Sequence, residues 1–250
     1  MNPPNVMMEL QNVTKDFGGL RAVDHLNFSV EKGKVTALIG PNGAGKTTAI
    51  NLVSGVYKPT SGQILLEGEN IIPLPAHERA TKGIARTFQI IKLFPALTVM
   101  ENIMLGRDFG LKGGASSKGK GTDREEMEYA RQLLSMFNLQ DKADSMPYEL
   151  SFGQQRWIEL ARAMAMEPKL LLLDEPSSGL SVAEAESLLE KMRSLCTGGC
   201  TILLIEHNMR VMAAISDYVI VLNHGQKLLS GTPDEVKNDQ KVIEVYLGKE

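Results

Sequence analysis

Apolar and polar positions alternate at the start of the chain, and the period of that pattern then changes twice. Residues 8–13 and 22–30 read as two antiparallel strands, closed by the turn Glu31-Lys32-Gly33-Lys34. Val35-Thr36-Ala37-Leu38-Ile39 is an unbroken β-branched and aliphatic run, as in a buried strand. A glycine-rich stretch follows, and then Ile50 and Val53 give helical spacing until Gly55 ends the segment. Lys58-Pro59-Thr60-Ser61-Gly62 turns the chain into a strand over 63–67. From about 87 to 168 the spacing is helical. Residues 124–137 set Met127, Ala130, Leu134 and Phe137 on one helical face. Ahead of them, residues 110–122 carry glycine, lysine and serine with almost nothing to bury, the composition of a mobile surface loop.

The last third returns to strand and helix in alternation. Residues 170–173, 201–205 and 218–222 are buried strands with helices between them. Thr232-Pro233-Asp234-Glu235 joins an N-cap, a proline at the first helical position and a capping-box glutamate. The pattern predicts an α/β fold: a mostly parallel sheet core, an antiparallel β-subdomain in front and an inserted α-helical subdomain. At 250 residues it is read as one domain. Residues 1–86 and 169–250 form the core, and 87–168 the helical part.

Composition narrows the function. An apolar share of 43% is ample for a core, and only 5% aromatic makes that core aliphatic. A net charge of -3 with no basic stripe argues against nucleic acid. No apolar run approaches a membrane span, and Met1-Asn2-Pro3-Pro4-Asn5 lacks the regions of a signal peptide. A cytoplasmic protein is expected, one that meets a membrane through a partner. Cys196 and Cys200 flank Thr197-Gly198-Gly199, which reads as a turn between helix and strand; two thiols make no zinc site, and both read as inert.

The chemistry begins at Gly40-Pro41-Asn42-Gly43-Ala44-Gly45-Lys46-Thr47-Thr48, which fits G-x-x-x-x-G-K-[ST] in full. Placed between a strand and a helix, such a loop brings backbone N–H groups and a helix N-terminus onto one anion. Lys46 should reach the terminal phosphates, and Thr47 should offer its hydroxyl to magnesium. Asp174 and Glu175 end a leucine strand at the edge where parallel sheets bind ligands. Asp174 would hold the metal beside Thr47, and Glu175 would polarise an attacking water. Leu150-Ser151-Phe152-Gly153-Gln154 contains an S-x-x-Q capping box, so a helix starts there and offers a second anion site.

In this combination and order, the motifs resemble those of the ATP-binding subunit of an ABC transporter, over nearly the whole chain. The resemblance implies ATP and Mg2+ as ligands. It matches Phe17 to the aromatic that stacks on adenine, and Gln89 to the glutamine joining the metal site to the transmembrane interface. Leu150 to Gln154 matches the signature that contacts ATP on the opposite subunit through Ser151, Gly153 and Gln154. Glu175 matches the catalytic glutamate, and His207, in Ile205-Glu206-His207-Asn208, the switch histidine. Two positions depart from the family pattern. Phe152 stands where many members have glycine, and Ser181 where an aspartate or asparagine is usual.

A finer resemblance, carried by Gly83 to Gln89, Leu93-Phe94-Pro95, residues 97–102 and the ending Val245-Tyr246-Leu247-Gly248, is to the ATPase of branched-chain or hydrophobic amino-acid importers. It implies a second ATP-binding subunit, identical or a close paralogue, and permease subunits received near residues 88–104. A substrate-binding protein would take part indirectly, and the chain would lie peripherally on the inner face of the cell membrane. The ATPase of a lipid or lipopolysaccharide exporter, or of an amide or urea importer, is the alternative, because the catalytic motifs are shared. A phosphate-loop kinase or GTPase reading is opposed by the signature and, for the GTPase, by the lack of N-K-x-D after the phosphate loop.

Overall fold

The computed structural model describes residues 5–109, 123–207 and 209–247. The glycine-lysine-serine stretch at 110–122, Asn208, Gly248 and the first four positions lie outside the described residues.

β1 (Val6–Phe17) and β2 (Leu20–Glu31) form an antiparallel hairpin that runs further than the apolar alternation indicates. Its outer end is polar: Asp16 and Arg21 face each other across the ladder and pair at 2.9 Å. Such cross-strand pairs extend a strand without any apolar signal. Next come β3 (Val35–Ile39), α1 (Lys46–Val53), β4 (Ser61–Leu66), β5 (Glu69–Asn70), α2 (Ala76–Thr81) and β6 (Ile84–Arg86). Pairing of β4 with β1 gives a front sheet in the order β2-β1-β4-β5, antiparallel throughout.

α3 (Val99–Phe109), α4 (Asp123–Met136) and α5 (Phe152–Ala165) follow, with two short 3-10 turns before α5. A Cβ on Gly106 of α3 would overlap the Arg162 carbonyl oxygen of α5, so the two helices meet almost backbone to backbone. In α4, Ala130, Leu133 and Leu134 are buried, with Phe137 just beyond the helix, whereas Met127 is 37% exposed. At 100° per residue Met127 lies about 70° from the centre of that stripe.

The chain ends with β7 (Leu170–Asp174), α6 (Val182–Thr197), β8 (Thr201–Ile205), α7 (Met209–Ile215), β9 (Tyr218–Asn223), β10 (Gln226–Gly231), α8 (Pro233–Asn238) and α9 (Gln240–Leu247). The second sheet runs β10-β9-β3-β8-β7-β6. All its neighbours are parallel except β10, which pairs antiparallel with β9 at the edge. Every residue of β3, β7 and β8 is buried, which is why these strands read as continuous apolar runs. Alternate side chains serve two cores. Leu170 and Leu172 pack toward β1, β2 and α1, while Leu171 and Leu173 pack with α4, α5 and α6.

Candidate nucleotide site

Parallel pairing brings the C-terminal ends of β3, β7 and β8 to one edge, because Leu38 and Asp174 are both in register with Ile205. The loop after β3 is threaded tightly there. A Cβ on Gly40 (φ 149) would overlap the Leu222 carbonyl oxygen, and one on Gly45 (φ 99) would lie 2.6 Å from that of Ala22. Only glycine passes at either point. The Gly225 N–H in turn donates to the Ala44 carbonyl at 3.0 Å, strapping the β9–β10 turn to the loop. α1 then starts with Gly45 as N-cap and no side-chain cap, so its first-turn N–H groups remain directed at the loop.

Lys46 is buried at that helix start, and its Nζ donates to the carbonyls of Gly40 (2.7 Å) and Pro41 (2.9 Å). Burial lowers its pKa, against the opposing pull of the Glu175 and Asp174 charges. Thr47 is exposed beside it and Thr48 half-buried; Pro41, Asn42, Gly43 and Ala44 complete the loop. Asp174 is buried at the end of β7, which pushes its carboxyl up from the usual range, with the Arg86 guanidinium acting the other way. Arg86 Nη2 lies 3.4 Å from Asp174 Oδ2, while its Nη1 donates to Asn51 Oδ1 (2.6 Å) and Ser54 Oγ (3.0 Å). Among the described residues no three His, Cys, Asp or Glu side chains gather to hold a metal. A buried carboxylate at the end of β7 and an exposed hydroxyl in the first turn of α1 suit magnesium, which takes one or two protein oxygens beside phosphate and water.

Glu175 adopts the left-handed conformation (φ 51), and its N–H donates to the Ile205 carbonyl at 3.0 Å. Its Oε2 accepts a hydrogen bond from Gln89 Nε2 at 3.1 Å and lies 3.6 Å from His207 Nδ1. Gln89 and His207 thus converge on one oxygen of Glu175. His207 is held from behind, since its N–H donates to Glu206 Oε2 at 3.0 Å. Glu206 is fully buried and also accepts from Ser177 Oγ in the loop after Glu175.

Ser151 caps α5 as expected: its Oγ accepts from the Gln154 N–H at 3.3 Å, and Gln154 Oε1 accepts from the Ser151 N–H at 3.0 Å. The Gln154 side chain is therefore engaged in the cap. The two departures from the family pattern turn out to be neighbours. A Cβ on Gly179 would sit 2.8 Å from Phe152 Cε1, so the ring lies on the Ser178-Gly179-Leu180-Ser181 turn. Ser181 ends that turn as the N-cap of α6, where its N–H and Oγ meet Glu184 Oε2 at 2.8 and 2.7 Å. A Cβ on Gly153 would also run into the Glu184 carboxylate.

Phe17, at the end of β1, is 39% exposed and stands edge-on to Tyr57, with ring centroids 5.1 Å apart and Lys15 Nζ 4.8 Å from its own. Sequence reasoning missed Tyr57, and it missed Glu206, Arg156 and Glu159 as site residues. Arg156 and Glu159 stand three apart in a helix, the spacing of an ion pair. That spacing did not reveal that both are buried.

A family model described as "ABC transporter" matches residues 23–178, and one described as "Branched-chain amino acid ATP-binding cassette transporter" matches residues 226–250. The high-affinity branched-chain amino acid transport ATP-binding protein BraF of Pseudomonas aeruginosa is 41% identical, over 97% of this chain and 98% of its own. LivG of Escherichia coli, of the same description, is 38% identical over 97% and 98%. The lipopolysaccharide export ATP-binding protein LptB of Haemophilus influenzae is 32% identical over 98% of both chains. Among solved structures, the ADP conformation of an ATP-binding cassette of an ABC transporter superposes with a TM-score of 0.86 at 32% identity, covering 98% of this chain and 99% of that one. The chain belongs to the ABC transporter family, as an ATP-binding subunit that hydrolyses ATP.

Proposed function

We propose that this chain powers the uptake of branched-chain amino acids by binding and hydrolysing ATP between two subunits. The observation that carries the catalytic part is the convergence of Gln89 and His207 on Glu175 Oε2, beside Lys46 and Asp174. The cargo rests on the 226–250 match and on the closer likeness to BraF and LivG than to LptB.

The residues take the following roles. The N–H groups of the loop from Gly40 to Thr48 receive the phosphates, Lys46 turns from its loop carbonyls to the β- and γ-phosphates, and Phe17 stacks on adenine. Thr47, Asp174 and Gln89 would hold Mg2+, which when bound neutralises charge on the phosphates. Glu175 takes a proton from a water whose oxygen attacks the γ-phosphorus; the bond to the β–γ bridging oxygen breaks, and ADP and phosphate leave. His207 donates to the γ-phosphate oxygens as charge builds there.

Ser151 and Gly153 at the α5 N-terminus, flanked by Gln154, would meet the γ-phosphate of ATP held by a second copy or close paralogue. A related bacterial cassette has been solved as a dimer, with a TM-score of 0.81 at 28% identity. In this reading residues 87–168 form a helical arm on a single ATPase domain. Closure of the dimer would move that arm and reach the permease through residues 88–104, where Ile90 and Phe94 are exposed. No helix of the described residues is long and apolar enough to cross a membrane, so the chain would sit on the inner face of the membrane through its permease.

The test is isolation of the assembled complex from membranes with this chain as bait, followed by uptake of labelled leucine, isoleucine and valine into vesicles that contain it. ATP-dependent uptake of these amino acids is expected. Companions that move lipid or lipopolysaccharide, with no amino-acid uptake, would refute the cargo.

A further inference from the structure

Helix α5, which begins at the signature serine, carries a charged pair one and two turns further in. Arg156 and Glu159 are 2% and 1% exposed and pair at 3.0 Å. Both reach across to the segment after β6. Arg156 Nη1 donates to the Phe88 carbonyl at 2.8 Å, and Nη2 to the Gln89 carbonyl at 2.9 Å. The Phe88 N–H donates to Glu159 Oε1 at 3.3 Å. One ion pair thus grips three backbone polar groups of two consecutive residues.

Stability alone does not account for this arrangement. Removing two charges from water is costly, and a well-packed apolar pair commonly serves the fold as well. Here the satisfaction is also incomplete, since the buried Arg156 Nε has no hydrogen-bond partner. An apolar pair could not fix a backbone segment at three points, and this pair does. The segment it fixes carries the Gln89 side chain, whose Nε2 lies 3.1 Å from Glu175 Oε2. On the opposite side, the Arg156 guanidinium lies 5.7 Å from the centroid of the Phe152 ring in the signature.

We propose that Arg156 and Glu159 are positioning residues that lock the backbone of Phe88 and Gln89 to the signature helix. Movement of α5 on nucleotide contact then sets how the Gln89 side chain meets Glu175. The inference rests on the roles given above to Gln89 and Glu175. Misplacement of a reacting group by ~1 Å is enough to cost up to about 100-fold in rate.

Arg156→Lys tests it, because lysine keeps the charge beside Glu159 but has no planar fork to span two carbonyls. The purified variant should melt within a few degrees of the parent and turn over MgATP about 10-fold more slowly, with KM within about 2-fold. Amide exchange at residues 88–90 should quicken. The Arg156→Lys/Gln89→Ala double variant should be no slower than Gln89→Ala alone, to within about 2-fold, since residues acting through one another are non-additive. Should Arg156→Lys fail to fold, Glu159→Gln, which keeps an acceptor for Phe88, takes its place with a smaller loss of about 3-fold. Unchanged exchange at 88–90, or losses that multiply in the double variant, would overturn the lock. Full turnover in Gln89→Ala would instead overturn the site reading beneath it.

Discussion

Replacing Glu175 by glutamine separates the chemistry from the fold more cleanly than any other single change. The side chain is 22% exposed and accepts a hydrogen bond from Gln89 Nε2 at 3.1 Å. A glutamine can present its carbonyl oxygen to the same donor, so what is lost structurally is the charge assistance of one partly exposed bond, about 0.5–1 kcal/mol. In a domain of this size that lowers Tm by about 1–4 °C. The chemical loss is larger. General-base assistance is worth about 100- to 10,000-fold, equivalent to about 2.7–5.4 kcal/mol in the barrier. ATP binding should persist, because the phosphate loop and Lys46 are untouched and one negative charge near the phosphates has gone. The assay is phosphate release under saturating MgATP, run beside thermal melting and nucleotide binding, with light scattering to detect an ATP-dependent dimer. Turnover within about 3-fold of the parent would remove Glu175 from the proton transfer. A Tm loss above about 10 °C would mean that the side chain is structural.

Other outcomes follow from the same geometry. Gly40→Ala sets a Cβ against the Leu222 carbonyl oxygen, a backbone atom with little freedom to yield; the expected cost is at least about 3 kcal/mol, read as a Tm loss of about 6–12 °C. Phe17→Ala should raise KM for ATP about 5- to 150-fold with kcat within about 2-fold, in line with the worth of base–aromatic stacking; an unchanged KM would remove Phe17 from the adenine contact. Burial pushes the Cys196 thiol up to about 11 and the Cys200 thiol up to about 12. Iodoacetamide at pH 8 should therefore modify both only after unfolding. Because the unfolded chain releases these protons first, stability should fall as pH rises from about 9 toward 11, measured by denaturant midpoint.

The legibility of the fold depended on whether each element announces itself locally. β3, β7 and β8 lie buried on both faces, so their apolar runs mark them almost to the residue. β6 is three residues long and β10 is Gln226-Lys227-Leu228-Leu229-Ser230-Gly231, and neither carries a strand pattern that survives outside the sheet. The Asp16 end of the first hairpin is held by charge, and charge has no period. At the site the division is similar. The phosphate loop, the acidic pair and the capping box are contiguous motifs whose spacing is their signal. Arg156, Glu159 and Glu206 are charged residues in a protein interior, and nothing in their neighbours along the chain foretells that burial.

The contact between Phe152 and Gly179 has a consequence for how this sequence is able to drift. A methyl group at 179 would be strained by the left-handed backbone there (φ 79) whatever stands at 152, and the phenyl ring closes the remaining space, so a bulky residue at 152 leaves 179 even less room to change. Hybrids that exchange the 150–154 segment with a relative while keeping the native 178–181 turn would inherit either a gap or a collision, and the two segments are better transplanted together.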